Sequence, residues 1–180
     1  GVTWDDDIKI ATNSWGGVGI TPDGSWILCA SSLCIRLIDD GPGWTQLPSF
    51  LGNTDISSGN FNNFTTGDTA IIAWSSRAAS ISYDNGLNWT QLPLSLNTGT
   101  TESLTGLTCQ GTVWTAVAGL EASSSVDNGV TWTKITVPYT AAVYAFTAIA
   151  ENSSSNGTIV AITSNRATLG DTNHYAAVRS

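Results

Sequence analysis

The chain has 180 residues, which is enough for one domain with a sizeable buried core. Hydrophobic residues make up 41% and charged residues 11% of the sequence, and the formal net charge is −8. This composition excludes a disordered tail, and the acidic balance argues against nucleic acid as a partner. No apolar run approaches the roughly 20 residues of a membrane-spanning helix, so the sequence predicts no membrane span.

Short runs of β-forming residues, separated by turn residues, follow one another along the chain. The first unit has predicted strands at 17–21, 25–30, 33–38 and 44–47, and the second at 55–60, 69–75, 78–83 and 89–92. The third unit has them at 103–109, 112–118, 121–126 and 132–135, and the fourth at 143–150 and 158–163. No segment shows a helical spacing of apolar residues, so the pattern predicts an all-β fold with four short strands per unit.

One eight-residue motif recurs between the third and fourth strands of these units. Residues 82–89 and 125–132 both read Ser-x-Asp-x-Gly-x-x-Trp, residues 37–44 repeat it with Leu for Ser, and residues 1–4 match its second half. The motifs end at Trp4, Trp44, Trp89 and Trp132, with Tyr175 at the place of a fifth, at spacings of 40, 45, 43 and 43 residues. This period is typical of β-propeller blades, each a four-stranded antiparallel sheet. The sequence therefore predicts a single propeller domain, 1–180, of about four blades, with residues 1–10 as an orphan N-terminal strand.

Each residue type in the motif suits a structural task in a tight turn. The Asp and Ser side chains can accept backbone N–H groups, Gly permits a positive φ, and Trp can pack against the neighbouring sheet. Because the same turn recurs in every unit, we interpret it as structural and not catalytic. The residues concerned are Asp39, Gly41, Trp44, Ser82, Asp84, Gly86, Trp89, Ser125, Asp127, Gly129 and Trp132.

The repeated motif resembles the Asp box, or BNR repeat, of the sialidase-like β-propellers, and the resemblance covers the whole chain as a repeat pattern. Proteins with this box include sialidases, xyloglucan-degrading hydrolases, sortilin-type receptors and photosystem assembly factors. The resemblance implies a propeller whose boxes lie at the blade periphery, away from the functional site. It implies no single function, because a site and not a fold determines activity.

A sialidase-like site would need a cluster of three Arg, a Tyr–Glu pair and an acidic proton donor. The chain has four Arg residues: Arg36, Arg77, Arg166 and Arg179. None lies on a predicted innermost strand, and the Phe/Tyr-Arg-Ile-Pro segment of sialidases is absent. We therefore interpret these residues, including Arg36 on a third strand, as solvated charges of turns and edges.

Three acids remain as candidates for catalysis by a glycoside hydrolase, which needs two carboxylates about 5 to 10 Å apart. Asp55 and Glu102 begin predicted first strands and Glu151 follows one, so all three can face the mouth of a central channel. The sequence contains a single His and no Cys pair with zinc spacing, so we predict no metal site and no cofactor.

Trp15 is the candidate binding residue, because it stands between small residues in a predicted loop, where it could stack on a sugar or a partner. Packing at the top of a blade is the alternative that we favour. Trp26, Trp74 and Trp114 lie on second strands and are expected in the core.

Cys29 and Cys34 flank a predicted two-residue turn, which places them opposite each other on neighbouring strands. A cross-strand disulfide and a pair of small buried thiols both fit this position.

Two functions fit the sequence. The first is a non-catalytic extracellular or surface module, structural or interacting, that binds a glycan or a protein. The alternative is a fragment of a sialidase-like glycoside hydrolase. Because the sequence begins inside a motif, has no Met and opens with an unpaired strand, we expect the chain to self-associate or to be part of a longer polypeptide.

Overall fold

A computed structural model describes residues 15–30, 34–37, 44–47, 63–76, 78–93, 103–119, 121–135, 144–151 and 159–165. Within these ranges the chain forms fourteen β-strands and no helix. Accordingly, the described part offers no helical segment of the length and apolarity that a membrane crossing requires. The prediction of an all-β fold is confirmed.

The strands form four antiparallel sheets. The first sheet contains β1 (Trp15–Ile20), β2 (Trp26–Ala30), β3 (Cys34–Leu37) and β4 (Trp44–Gln46). The second contains β5 (Asn63–Thr66), β6 (Ile71–Trp74), β7 (Ala79–Ser82) and β8 (Thr90–Gln91). The third contains β9 (Leu104–Gln110), β10 (Val113–Ala118), β11 (Glu121–Ser125) and β12 (Thr133–Ile135). The described part of the fourth contains β13 (Tyr144–Glu151) and β14 (Ile159–Asn165).

In the first three sheets the strands pair in chain order, each with the next. The first strands of successive sheets also approach one another: β1 lies against β5, β5 against β9, and β9 against β13. Among the described strands, no comparable approach joins β13 to β1. The sheets therefore follow one another face to face, with their first strands together on one side. In the first three sheets the fourth strand lies at the opposite edge.

Strand β6 shows how the sheets are held together. All four of its residues are buried, and they alternate between two faces. Ile71 packs in one apolar cluster with Ile27 of the first sheet, whereas Ile72 packs in another with Trp114 of the third. An uninterrupted apolar run is the pattern of a strand that is covered on both sides. The main core thus lies between the sheets.

The first strand of the second unit differs from the sequence prediction. The strand that pairs with β6 is β5, Asn63–Thr66, in a stretch between the predicted strands where we expected none. Residues 55–60, the predicted strand, lie outside the described residues. The physical reason is a single aromatic residue: Phe64 packs against Gly19 of the first sheet and anchors an otherwise polar segment.

Trp15 also corrects the sequence analysis. It begins strand β1 opposite Ala30, so the expectation that it lies in a loop is wrong. The pairing is irregular between Trp15 and Gly17. Glycine weakens a strand pattern and is common at such irregularities, which explains why the strand start was not evident. The side chain of Trp15 lies outside the described part.

Candidate interaction surface

The predicted catalytic acids do not assemble into a site within the described residues. Asp55 and Glu102 lie outside them. Glu151 ends strand β13 opposite Ile159, and only its backbone is described. No group of three or more metal-ligating side chains occurs in the described part of the chain.

Most carboxylates with described side chains already have structural partners. Asp23 pairs with Arg36, and Glu121 pairs with Lys134 at 2.7 Å. Asp84 and Asp127 lie in the two complete repeated turns, where they accept hydrogen bonds within the turn. Each of these four groups is thus engaged in a turn or an ion pair.

The turn after β7 is closed by its own side chains. The Ser82 hydroxyl donates to Asp84 Oδ1 at 2.8 Å and accepts the Gly86 N–H at 2.8 Å. Asp84 accepts the backbone N–H and the side-chain amide of Asn88 at 2.8 and 2.6 Å. The Trp89 indole donates to the Gly86 carbonyl at 2.9 Å, which folds the ring back over the turn.

The turn after β11 repeats the same bonds with other residues. Ser125 donates to Asp127 at 2.7 Å and accepts the Gly129 N–H at 2.8 Å. Asp127 accepts the Thr131 N–H at 2.8 Å and its hydroxyl at 2.5 Å. Trp132 donates to the Gly129 carbonyl at 3.0 Å. Asn88 thus donates to the Asp carboxylate with a side-chain amide, and Thr131 donates to it with a hydroxyl. Because either group can make this bond, the residue at this position varies in the motif.

Two consecutive residues with positive φ produce the reversal in each turn. The φ values are 58° and 87° at Asn85 and Gly86, and 59° and 86° at Asn128 and Gly129. This pattern is that of a type I′ turn, for which Asn-Gly is the strongest signal in a sequence. The Asn was not singled out in the sequence analysis, although both complete motifs share it.

Hydrogen bonding sets the pKa of each turn carboxylate. The bond from the Thr131 hydroxyl, followed by those from its N–H and from Ser125, lowers the pKa of Asp127 from 3.8 to about 2. For Asp84, burial raises the pKa, but the combined bonds from Asn88 and Ser82 outweigh it and the net shift is downward. Both side chains are therefore held as carboxylates, the form that accepts hydrogen bonds.

Each repeated turn is seated on the preceding sheet. A Cβ added to Gly86 would lie 2.7 Å from Ile27 Cδ1 of the first sheet. A Cβ added to Gly129 would lie 2.5 Å from Ile81 Cδ1 of the second. Glycine is thus required both for the φ value and for the close approach. The turn of one sheet acts as part of the packing surface of the sheet before it.

Asn128 extends this contact with polar bonds. Its side chain accepts from the Trp114 indole at 3.3 Å and donates to Thr69, in the turn between β5 and β6 of the second sheet, at 2.9 Å. Its carbonyl accepts from the Tyr83 hydroxyl, in the preceding turn, at 3.1 Å. Asn128 therefore links its own sheet, the neighbouring sheet and the neighbouring turn.

Arg36 is a correction to the sequence analysis, which placed it among solvated edge charges. The residue is buried at 9% exposure and pairs with Asp23, and it also donates to Ser25 Oγ at 3.0 Å. Asp23 lies in the turn between β1 and β2, where it accepts the Thr21 hydroxyl and the Ser25 N–H. Burial raises the pKa of Asp23, but the bonds from Thr21 and Ser25 and the charge of Arg36 give a net lowering. The pair ties β3 to this turn and serves the fold.

The first sheet has one exposed apolar face. Val18, Ile20 and Trp26 are 59%, 46% and 42% exposed, and Trp26 is therefore not the core residue that we expected. Register places Ile20 opposite Trp26 and Val18 opposite the half-buried Leu28, so all four share one face. We call Val18, Ile20, Trp26 and Leu28 the open face.

The opposite side of the same sheet is covered. Gly19 lies against Phe64 of the second sheet, and Ile27 is fully buried against the same neighbour. On the side of the open face, Ile35 of β3 is 4% exposed. Among the described side chains of that face, the exposed ones therefore lie on β1 and β2.

The positions equivalent to Trp26 in the next two sheets are buried. Trp26 pairs with Leu37, the first residue of its motif, just as Ile71 pairs with Ser82 and Trp114 with Ser125. Ile71 and Trp114 are both 0% exposed, because the preceding sheet covers them. The open face is therefore a sheet-packing surface that no described residue covers.

A second set of exposed apolar side chains lies on the repeated turns. Its members are Tyr83, Leu87, Val126 and Val130, at 47%, 45%, 77% and 65% exposure. They occupy the two variable positions on either side of the Asp and Gly in each motif. Single exposed apolar residues at turns are common and need no partner to explain them.

The open face was missed in the sequence analysis for a definite reason. Strand β2 has apolar residues on both faces, which predicts burial on both sides. Only the positions of neighbouring sheets determine which face is covered, and spacing within one strand does not carry that information.

Comparison with known proteins shows the fold. YCF48 from Cyanidioschyzon merolae superposes with a TM-score of 0.60 and 15% identity over 95% of this chain and 58% of its own. A GH74 xyloglucanase from Xanthomonas campestris gives 0.55 and 18% over 85% of this chain and 28% of its own. A structure of YCF48 bound to D1 peptide gives 0.57 and 15% over 88% of this chain and 55% of its own.

Neither a family model nor a curated protein sequence matches the chain. The chain spans little more than half of the YCF48 chains that it resembles and a smaller share of the xyloglucanase. At these identities the likeness establishes architecture and not activity. The protein is an all-β chain with the fold of a β-propeller.

Proposed function

We propose that this chain is a non-catalytic interaction module, and that the open face of its first sheet is the surface by which it binds another protein. The observation that carries the proposal is the exposure of Trp26, whose equivalents Ile71 and Trp114 are buried by a sheet. Val18 and Ile20 are exposed beside it on the same face. Contiguous apolar surface with an aromatic residue is typical of protein interaction sites.

Two further observations support binding over catalysis. Asp23, Asp84, Glu121 and Asp127 are engaged in turns and ion pairs, as described above. Among the similar structures, a YCF48 propeller is bound to a peptide, so the architecture can serve polypeptide recognition. A protein partner is therefore preferred to a glycan.

The proposal also includes the kind of turn that is repeated and the place where the protein acts. The repeated turn is an Asp box, on the support of its Ser, Asp, Gly and Trp bonds. The module acts outside the cell or on its surface. The support is that Cys29 and Cys34 stand opposite each other on β2 and β3, as a disulfide would require, and disulfides persist in oxidising compartments. Peptide mapping without reductant tests the disulfide.

The second candidate is a part of a glycoside hydrolase, which the likeness to a xyloglucanase favours. Asp55 and Glu102 would then be its carboxylates. A panel of fluorogenic glycosides separates the two functions, with Asp55→Asn and Glu102→Gln as controls. We expect no turnover by any of the three chains. Turnover that either substitution abolishes would replace the interaction module with the hydrolase.

Binding is tested with random peptides displayed on phage, selected on the wild-type chain and depleted on Trp26→Glu. We expect selected peptides to be rich in apolar and basic residues, because the chain carries a net charge of −8. Val126→Glu is the matched control, since it places the same charge on an exposed turn residue, and it should bind as wild type does. Equal recovery on Trp26→Glu would contradict the proposal, and glycan-array binding that Trp26→Glu abolishes would show that the partner is a glycan.

A further inference from the structure

We infer that the open face binds the fourth sheet of a second copy of this chain, so that two copies pack head to tail. This inference rests on the proposed function of the open face and names its partner. The chain contains three examples of such packing, because each described sheet after the first covers one face of the sheet before it.

Two of the three internal interfaces fit together in the same way. At the first strand of a sheet, a large side chain packs toward the preceding sheet, which presents a small residue there. Phe64 of the second sheet meets Gly19 of the first, and Ile149 of the fourth meets Gly106 of the third. Val18 is the large side chain at the corresponding position in the first sheet, and Ile20 lies beside it on the same face. A sheet that covers the open face should therefore carry small residues on its first strand.

The fourth sheet presents such residues. On β13, Phe146 is buried and Ile149 is half-buried toward the third sheet, whereas Ala148 and Ala150 are exposed on the other side. Register places Ala148 opposite Ile162 of β14 and Ala150 opposite Val160. The first strands at the two ends of the described array are thus complementary: β1 carries large apolar residues and β13 carries alanine.

The contact between such ends is heterologous, because a different surface of each copy takes part. Two copies that each use both surfaces close a ring, and successive copies that do not close form an open chain. In either arrangement Trp26 becomes buried, as the equivalent Ile71 and Trp114 already are.

The primary experiment is sedimentation equilibrium of the full 180-residue chain over a wide concentration range. We expect species heavier than the 18.8 kDa monomer for wild type. Trp26→Glu and Ala150→Glu should each weaken self-association at least about tenfold, because each buries a charge in an apolar contact. Val126→Glu, outside both surfaces, should associate as wild type does. Circular dichroism melts of all variants exclude unfolding as the cause.

A mixing experiment tests the head-to-tail geometry. The Trp26→Glu chain retains an intact fourth sheet, and the Ala150→Glu chain retains an intact open face. At a concentration at which the wild-type chain associates, each variant alone should be mainly monomeric, whereas an equimolar mixture should form a one-to-one complex. A mixture that stays monomeric, or single variants that associate as strongly as wild type, would overturn the inference.

The outcome also separates this inference from the proposed function. A wild-type chain that is monomeric at every concentration but binds selected peptides through Trp26 would overturn self-association and leave the interaction module standing. If neither self-association nor peptide binding depends on Trp26, the head-to-tail packing and the interaction module are both contradicted.

Discussion

Glycine and asparagine allow each repeated turn to lie flush on the preceding sheet. Gly129 combines a φ of 86° with a contact that leaves no room for a methyl group, since an added Cβ would lie 2.5 Å from Ile81 Cδ1. The motif positions could be read from the sequence because side-chain chemistry in a tight turn is local. The contact with Ile81 could not, because it joins two sheets.

Gly129→Ala tests the positive φ and the close contact with Ile81 together. Gly24→Ala is the matched control for the positive φ alone. Gly24 has a φ of 84°, but nothing lies within 4 Å of an added Cβ. Gly24→Ala should therefore cost only the backbone strain, about 1 to 2 kcal/mol of unfolding free energy. Gly129→Ala should cost about 1 to 3 kcal/mol more, because Ile81 must move. The free energies come from urea unfolding curves of both variants.

A compensating substitution makes this prediction sharper. Ile81→Val removes the Cδ1 atom that the methyl group introduced by Gly129→Ala would meet, so it should recover part of the cost of that substitution. Equal destabilisation by the two glycine substitutions would show that the turn is not packed on the second sheet.

The turn carboxylates should also govern the stability of the chain in acid. The pKa of Asp127 is lowered from 3.8 to about 2, so the unfolded chain binds this proton at a higher pH than the folded chain does. The stabilisation by this carboxylate is complete above pH 3.8 and is lost as the pH falls through the folded value near 2. Asp127→Asn should therefore flatten the fall of the unfolding free energy over that window.

Asp68→Asn is the control for the acid titration. Asp68 is exposed and takes no part in the hydrogen bonds of either repeated turn. Its substitution removes one carboxylate, as Asp127→Asn does, without touching either turn. If both substitutions flattened the curve equally, the effect would arise from net charge and not from the turn.

Between elements, polar contacts supplement the apolar packing of the sheets. Asn128 connects the Trp114 indole to Thr69 of the neighbouring sheet, and the indole is buried. Strand bounds in the third unit were predictable because its apolar runs are regular, and β10 and β11 agree with the prediction within one residue. The burial of Arg36 was not predictable, since its partner, Asp23, lies in a turn whose position depends on the pairing of β1 with β2.

Asn128→Gly measures the bridge between sheets. Glycine tolerates the φ of 59° at this position, so the substitution removes the side chain without adding backbone strain. We expect a loss of about 1 to 3 kcal/mol of unfolding free energy, because the buried Trp114 N–H loses its acceptor. Asn85→Gly is the control: its φ is 58°, and its side chain takes no part in the corresponding bonds. A similar loss at both positions in thermal and urea unfolding would contradict the bridge.

For the whole molecule, the repeat period predicted the architecture, because each unit encodes the same sheet and successive sheets must cover one another. The repeat period did not predict which face of a sheet is left without a neighbouring sheet. Trp26, Ile71 and Trp114 are equivalent in sequence terms, yet only Trp26 is exposed. That difference depends on which sheet lies beside each residue, and it is also the difference on which the proposed function depends.

Hydroxyl-radical footprinting read by mass spectrometry tests the open face most directly, since it reports the solvent exposure of individual side chains. In the dilute chain, Trp26, 42% exposed, should oxidise readily while Trp114, 0% exposed, stays protected. With rising protein concentration or a selected peptide, Trp26 should become protected while Val126, 77% exposed, stays reactive. A Trp26 as protected as Trp114 in the dilute chain, or one whose oxidation no partner changes, would contradict the account.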